Sequence, residues 1–232
     1  MNIHQFRYGE DNLGYLLYGE HAAMAVDGGA AGEMLEFLSD RGPFLQYVTN
    51  THTHMDHTVG NRELLANSRA QYLDFNALLE MKKIDLDGQT VEVFHTPGHT
   101  RDSVCFYHPP FLISGDTLFN GKVGKCFTGD PDAFLSAIKA LLDLPDETIV
   151  YAGHDYVAEY VAFVRRLEPD NPHIDRYREN YDPGHVCATL ADEKKVDPFL
   201  RFNDEKIARI LAEKGLPAQT EGDRWRSLLS LM

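Results

Sequence analysis

Residues 51–60 read THTHMDHTVG, directly after FLQYVTN (residues 44–50), an apolar run typical of a β-strand. The stretch places four side chains that can bind metal within six positions: His52, His54, Asp56 and His57. Imidazole and carboxylate ligands suit zinc, iron or manganese. Because alternate residues of an extended loop point to the same side, His52 and His54 can reach one ion. The adjacent pair Asp56 and His57 suits a second ion beside it.

Three further candidate ligands follow other strand-like runs of the chain. They are His99 in HTPGHT (95–100), Asp116 in ISGDTLF (113–119) and His154 in YAGHDY (151–156). Functional side chains of α/β folds collect at the ends of strands, so we expect these residues to meet the first four. Asp116 has two carboxylate oxygens and could bridge two ions. His95, which opens HTPGHT, is expected to pack or to support a ligand.

The composition disfavours several classes of protein. At 232 residues the chain fits one large domain, or one domain with a small appendage. Its formal net charge of −14 argues against binding nucleic acid or anionic membranes through bulk charge. No signal-peptide pattern and no apolar run of membrane-spanning length is present, so we expect a cytoplasmic protein. Three cysteines without a CxxC pair predict neither a disulfide framework nor a thiolate zinc site.

The order of the predicted elements divides the chain into an α/β part and a helical part. Strand-like and helix-like segments alternate up to the helix that starts after Asp155. From residue 170 onward no convincing strand is predicted, and NDEKIARILAEKGLP (203–217) carries the caps of a helix. We therefore predict a catalytic domain over residues 1–169 and a small α-helical, substrate-binding region over residues 170–232.

Four motifs together resemble the metallo-β-lactamase superfamily: THTHMDH, HTPGHTRDS, SGDTLF and YAGHDY, in this order. The resemblance covers about residues 10–160. It implies an α/β fold of the αββα sandwich type, in which two mixed sheets pack face to face with helices outside and a metal site lies along one edge. It also implies a ligand set. The first metal would take His52, His54 and His99, the second would take Asp56, His57 and His154, and Asp116 would bridge them.

Within that superfamily the chain is most similar to the glyoxalase II (hydroxyacylglutathione hydrolase) family. The similarity lies in DNLGYLL (11–17), GDTLFNGKVGKCFTGDP (115–131), GHDYVAEYVAFVRRLEPDN (153–171) and VDPFLRFND (196–204). It implies a dinuclear hydrolase of a thioester, with Lys125 and Tyr156 binding the substrate. Three positions depart from the residues with which the family binds glutathione: Phe127 replaces a tyrosine, and Leu229 and Met232 stand where an arginine and a lysine are expected. The thiol carrier therefore stays open.

The resemblance also implies a mechanism. Two divalent ions per chain, zinc first and iron or manganese as alternatives, would hold a bridging hydroxide that attacks the thioester carbonyl. Asp56 would orient this nucleophile as well as bind metal, and Lys125 and Tyr156 would hold the polar tail of the substrate. Asp27, at the end of the strand-like AMAVDGG (23–29), is interpreted either as a support for a ligand or as a turn cap.

Other functions remain open at this point. A persulfide dioxygenase-like enzyme would use one iron held by two histidines and one carboxylate, and shares the HxHxDH and HTPGHT motifs. A lactonase or a phosphodiesterase of the same fold is a further alternative. A non-catalytic binding module of this fold would be expected to have lost ligands, and this chain retains all seven. The expected partner is a small-molecule thioester; the oligomeric state is open.

Overall fold

The computed structural model describes residues 1–232 and contains two large sheets. The first sheet has five strands in the order β1-β2-β3-β4-β5. The pairs β1–β2 and β2–β3 are antiparallel, and the pairs β3–β4 and β4–β5 are parallel, so the sheet is mixed. Its strands are Asn2–Tyr8 (β1), Asn12–Tyr18 (β2), Ala22–Val26 (β3), Phe44–Thr49 (β4) and Gln71–Leu73 (β5).

The second sheet has six strands in the order β13-β12-β9-β8-β7-β6. Only β9 and β12 run parallel, and the other neighbours are antiparallel. Its strands are Lys83–Leu86 (β6), Gln89–His95 (β7), Val104–His108 (β8), Phe111–Gly115 (β9), Ile149–Ala152 (β12) and Ala188–Thr189 (β13). A separate two-stranded ribbon consists of Leu118–Phe119 (β10) and Lys122–Val123 (β11).

Ten helices complete the chain, and most of them cover the outer faces of the sheets. They are Ala31–Arg41 (α1), Met55–Thr58 (α2), Asn61–Ala66 (α3), Phe75–Met81 (α4), Pro131–Leu142 (α5), Val157–Leu167 (α6), Ile174–Glu179 (α7), Leu190–Val196 (α8), Glu205–Glu213 (α9) and Glu221–Leu229 (α10). None of them has the length and apolar character that crossing a bilayer requires.

The interior between the two sheets follows from the alternation of side chains along each strand. In β2, Leu13, Tyr15 and Leu17 belong to the apolar cluster that joins both sheets. Leu16 points the other way, into the cluster under α1 and α3. Because successive side chains of a strand point to opposite faces, a strand covered on both sides must be apolar throughout. The run LGYLL meets this condition.

Helices cover the outer face of each sheet. Met34 of α1 and Leu64 of α3 pack on the first sheet, and Phe134 and Ile138 of α5 pack on the second. The layers therefore run helix, sheet, sheet, helix, which confirms the predicted αββα sandwich with its helical C-terminal region. Asp130-Pro131 opens α5, and the Asp130 side chain accepts the N–H of Ala133.

Several elements were not predicted from the sequence, and one contradicts the prediction. Strand β1 went unrecognised because it lies at the edge of its sheet and Phe6 is its one buried residue. Strand β13, which pairs antiparallel with β12, contradicts the expectation of no strand after residue 170. It has two residues and is too short to leave a periodic pattern.

The C-terminal helices share an apolar core with α5. Trp225 of α10 is fully buried, contacts Phe134, Phe199 and Phe202 edge-on, and donates its indole N–H to the carbonyl of Pro131 at 2.7 Å. This contact ties the last helix to α5. The boundary predicted at residues 169/170 stays a prediction.

Replacing Trp225 by alanine should lower the free energy of unfolding by about 3–5 kcal/mol, because the change opens a cavity and leaves the Pro131 carbonyl without its donor. Trp225→Phe, which keeps most of the volume, should lose less. Urea unfolding followed by circular dichroism measures both. A loss under about 1 kcal/mol for the alanine variant would contradict the role assigned to this contact.

Candidate metal centre

Strand ends from both sheets meet at one edge of the sandwich, and the candidate ligands lie there. His52 and His54 follow β4, and α2 carries the next two ligands. His99 lies in the loop between β7 and β8, Asp116 directly follows β9, and His154 lies two residues after β12. Strands β9 and β12 are parallel neighbours, so their C-terminal ends bring two of the seven residues side by side. All seven predicted ligands come together.

His52, His54 and His99 form the first group. The distance from Nε2 of His52 to Nδ1 of His54 is 2.8 Å, and Nε2 of His99 lies 3.2 Å from the same Nδ1. One nitrogen from each ring lies within 4.8 Å of the others. These three rings can hold one metal ion.

Asp56, His57 and His154 form the second group. Oδ2 of Asp56 lies 3.3 Å from Nε2 of His154 and 3.6 Å from Nε2 of His57. The two imidazole nitrogens are 3.2 Å apart. One ligand atom from each of these residues lies within 4.8 Å of the others, so this group can take a second ion.

The carboxylate of Asp116 lies between the two groups. Its Oδ2 is 3.4 Å from Nε2 of His99 and 3.6 Å from Nε2 of His154, and its Oδ1 is 3.5 Å from Nε2 of His57. One carboxylate therefore contacts ligands of both groups, which is the position of a bridging ligand.

The chemistry of this donor set fits divalent ions. Oδ1 of Asp116 is buried and accepts no hydrogen bond, although such oxygens are nearly always paired. Imidazole nitrogens face one another at 2.8–3.2 Å, and in neutral rings whose protons lie on the far nitrogens these would be lone pairs in contact. Cations placed among them satisfy every one of these atoms. Gly153 leaves the necessary room, because a Cβ there would meet Oδ1 of Asp116 at 2.2 Å.

The electrostatics of the centre support the same interpretation. Burial and the neighbouring histidines lower the pKa of His52 far below its usual value and the pKa of His99 to about 4, so both rings are neutral ligands at pH 7. Burial lowers the pKa of His57, but the charge and hydrogen bond of Asp27 together with the charges of Asp116 and Asp56 outweigh it and raise the pKa to about 9. Burial raises the pKa of Asp116 to about 6. The negative potential that favours a proton on His57 favours a metal cation as well.

Asp27 holds the first strand-end loop and one ligand in place. It is fully buried, its Oδ2 lies 3.0 Å from Nδ1 of His57, and its two oxygens accept the N–H and the hydroxyl of Thr51. Its φ of +52° is a left-handed conformation that costs a non-glycine residue free energy. The structure therefore favours the ligand-support interpretation of Asp27 over the turn cap.

Two supporting residues were not predicted, Asp11 and Asn12 at the tip of the β1–β2 hairpin. Oδ1 of Asp11 lies 2.9 Å from Nδ1 of His154, and the amide of Asn12 donates to Oδ2 of Asp56 at 2.9 Å. Each contact orients one ligand of the second group. The polar turn at Asp11 and Asn12 is visible in the sequence. Each of these residues is more than 40 positions from its partner, so the sequence does not indicate which side chain it contacts.

The predicted substrate-binding residues flank the centre. The ring of Tyr156 stacks on His154, with centroids 5.0 Å apart and planes 4° apart. The carbonyl oxygen of Lys125 lies 3.1 Å from Nδ1 of His99, so this loop touches the first group. His95 enters neither group: its Nε2 lies 2.9 Å from the carbonyl oxygen of Arg101, in keeping with the predicted packing role.

The three positions that depart from the glutathione-binding pattern lie in different parts of the structure. The ring of Phe127 lies 5.2 Å from that of His99 and is 60% exposed. Leu229 packs on the apolar core of the C-terminal helices, and Met232 lies at the surface.

Comparison with known proteins places this centre in a family. The model of the metallo-beta-lactamase superfamily matches residues 74–154, and the model of the hydroxyacylglutathione hydrolase C-terminus matches residues 155–225. A hydroxyacylglutathione hydrolase of Photobacterium profundum is 32% identical over 225 residues, covering 88% of each chain. The chain belongs to the hydroxyacylglutathione hydrolase family. Another member, from Chromohalobacter salexigens, is 33% identical and covers 89% of each chain.

Solved structures show the same fold at lower identity. The ETHE1 protein of Myxococcus xanthus superposes with a TM-score of 0.67 at 21% identity, covering 99% of both chains. The BLEG-1 B3 metallo-beta-lactamase gives a TM-score of 0.64 at 22% identity, covering 86% of this chain and 99% of that one. These similarities establish the sandwich, and the family assignment rests on the closer sequence relatives and the family models.

Asp11→Ala should weaken the binding of one divalent ion by about 10–100-fold, because His154 loses the carboxylate that holds its ring and its tautomer. Binding of the other ion should change little, since Asp11 does not contact the first group. Competition with a chelating dye during metal titration measures both steps. Glu10→Ala, at the exposed neighbouring position, is the matched control. Equal binding of both ions in Asp11→Ala and in the unmodified protein would contradict the role given to Asp11.

Proposed function

We propose that this protein hydrolyses a thioester, S-2-hydroxyacylglutathione or a related compound, to a hydroxy acid and a thiol. The observation that carries the proposal is the Asp116 carboxylate between two groups of three ligand side chains. Membership in the hydroxyacylglutathione hydrolase family supports the same reaction. The metal-dependent hydrolase assignment follows from both.

We further propose the ligand assignment and the metal content. His52, His54 and His99 hold one ion, Asp56, His57 and His154 hold the other, and Asp116 is shared. Five of the seven proposed ligands are imidazoles and two are carboxylates, a set that suits zinc, with iron or manganese as alternatives. Two divalent ions held there would lower the pKa of a water molecule and polarise the thioester carbonyl.

The chain's own residues position the reactants. Burial opposes ionisation of Asp56, but the hydrogen bond from Asn12 and the charge of His57 lower the pKa of this carboxyl below its usual value. It therefore stays ionised and can accept a hydrogen bond from the attacking water. Water adds its oxygen to the carbonyl carbon and gives up a proton, the carbon–sulfur bond breaks with its electron pair on sulfur, and the leaving thiolate takes up a proton to become the thiol. A thiolate is a good leaving group, so the centre needs no strong general acid.

Lys125 and Tyr156 are the proposed contacts to the rest of the substrate. The Tyr156 ring is fixed against His154, and its hydroxyl makes no hydrogen bond within the chain. The ammonium of Lys125 forms no ion pair and stands 5.3 Å from the centroid of Phe127. Both groups are therefore free to receive polar atoms of a substrate at the two sides of the centre.

The mononuclear iron alternative fits the arrangement less well. Such an enzyme needs one group of two histidines and one carboxylate with open positions. Here His52, His54 and His99 form a complete group beside the triad of Asp56, His57 and His154. The similarity to the Myxococcus xanthus protein concerns the fold alone. Persulfide-dependent oxygen uptake, lactone hydrolysis and phosphodiester hydrolysis are the assays that test the alternatives.

Asp116→Ala should abolish thioester hydrolysis and reduce the bound metal from two ions to one or fewer per chain, because both groups lose their shared ligand. Metal analysis and a thioester assay on the same preparation measure the two effects. Asp40→Ala is the matched control, since Asp40 is an exposed carboxylate of α1 with no hydrogen-bond partner in the chain. Full activity of Asp116→Ala would refute the dinuclear proposal.

A further inference from the structure

A cavity of about 240 Å³ lies between the second sheet and the helices that follow it in the chain, and none of the seven candidate metal ligands lines it. Its walls come from β12, β13, α6, α7 and α8, together with the turn of the β10–β11 ribbon. The cavity is therefore separate from the candidate metal centre and plays no part in the proposed hydrolysis.

The walls of this cavity are mostly apolar. Six of its ten lining residues are apolar or aromatic: Ile149, Val157, Tyr177, Tyr181, Cys187 and Ala188. The hydroxyl of Tyr177 donates to Oε1 of Glu193 at 2.6 Å. The hydroxyl of Tyr181 donates to Oδ2 of Asp155 at 2.7 Å. Because both hydroxyls are engaged by carboxylates outside the lining, the two tyrosines offer a ligand their rings.

The one carboxylate in the lining, Asp192, is already neutralised by its neighbours. Its Oδ1 accepts a hydrogen bond from the ammonium of Lys195 at 2.8 Å, and its Oδ2 accepts one from the hydroxyl of Thr189 at 2.9 Å. A charged ligand would lose its hydration here without meeting a free partner of opposite charge. The lining therefore favours a neutral ligand.

One buried polar atom of the lining has no partner. Asn120, in the turn of the ribbon, is 3% exposed. Its amide nitrogen donates to the carbonyl of Val150 at 3.3 Å and to Oε1 of Glu193 at 3.0 Å, which fixes the orientation of the side chain. Its Oδ1 is buried and accepts no hydrogen bond. Because buried acceptors are nearly always paired, this oxygen calls for a donor from a molecule in the cavity.

The size of the cavity limits what that molecule can be. Sites for drug-sized ligands have volumes of about 300 Å³ or more, so a cavity of about 240 Å³ suits a smaller molecule such as one substituted ring. Asn180, the exposed residue of the lining, marks the side that opens to solvent. Asn120 lies at the buried side, so the donor of the ligand belongs at its inner end.

We propose that this cavity is a second binding site, for a neutral single-ring molecule that donates one O–H or N–H hydrogen bond to Oδ1 of Asn120. Contact of the ring with the apolar and aromatic walls supplies most of the affinity, because it removes apolar surface from water. The hydrogen bond to Asn120 supplies the selectivity, because a ligand without a donor leaves this buried oxygen unpaired.

Phenol and anisole form the matched pair of probes, because methylation of the phenol oxygen removes the donor and keeps the ring. Titration of the metal-loaded protein with each probe, followed by protein NMR, measures the two dissociation constants. We expect phenol to bind about tenfold more tightly than anisole, the scale of one hydrogen bond to a buried acceptor.

The three cysteines allow the bound phenol to be located. Cys187 lines the cavity and is half-buried, whereas Cys126 is half-buried outside it. Phenol at ten times its dissociation constant should slow alkylation of Cys187 by iodoacetamide about tenfold, because the occupied cavity excludes the reagent. Alkylation of Cys126, followed in the same sample by mass spectrometry, should not change.

A cavity-filling variant provides a second test of the location. Ala188→Leu places a larger apolar side chain in the wall and should weaken phenol binding about tenfold. Ala212→Leu is the control, since Ala212 is exposed on α9 and does not line the cavity. If Ala188→Leu does not fold, the protection of Cys187 in the unmodified protein still decides the location.

Three results would overturn the inference. Phenol that shows no saturable binding at millimolar concentration would remove the site, and equal affinities for phenol and anisole would remove the role of Asn120. Phenol that binds without protecting Cys187 would lie elsewhere on the protein. None of these results bears on thioester hydrolysis, so the proposed function stands or falls separately.

Discussion

The carboxylate of Asp116 stands between two groups of imidazole nitrogens. The arrangement of this edge of the sandwich depends on the positive charge that offsets these crowded oxygen and nitrogen atoms. A buried carboxylate oxygen without a hydrogen bond, beside ring nitrogens about 3 Å apart, is unfavourable unless positive charge lies among them. Protons can supply one charge at His57, as its raised pKa indicates, but the low pKa values of His52 and His99 exclude protons there. Divalent cations balance both groups at once.

The sandwich fold allows these distant residues to meet at one edge. Each sheet sends loops to the same edge, so ligands separated by as many as 102 positions, from His52 to His154, meet within a few ångströms. The supporting residues come from the same sheets, with Asp27 at the end of β3 and Asp11 at the turn before β2. Because both supports adjoin strand ends, the candidate ligands are held in place by the fold itself, which would lower the entropic cost of binding an ion.

The parts predicted from the sequence were those with a local signature. HTHMDH places four candidate ligands within six positions, and each later candidate follows a recognisable strand, so the meeting of these seven residues could be predicted from the sequence. The contacts of Asp11 with His154 and of Asn12 with Asp56 could not, because they depend on how a hairpin tip docks against a distant loop. Strand β13 was missed because its two residues are extended only by pairing with β12. The exposure of Phe127 could not be predicted either, because it depends on how its loop folds.

The measurement that tests the central claim most directly is a titration of metal-stripped protein with zinc, in which bound metal and hydrolysis of a single thioester are followed at each step. A shared Asp116 between two complete ligand groups predicts that binding saturates at two ions per chain and that hydrolysis rises with the second equivalent. Saturation of both binding and hydrolysis at one ion per chain would contradict a dinuclear centre.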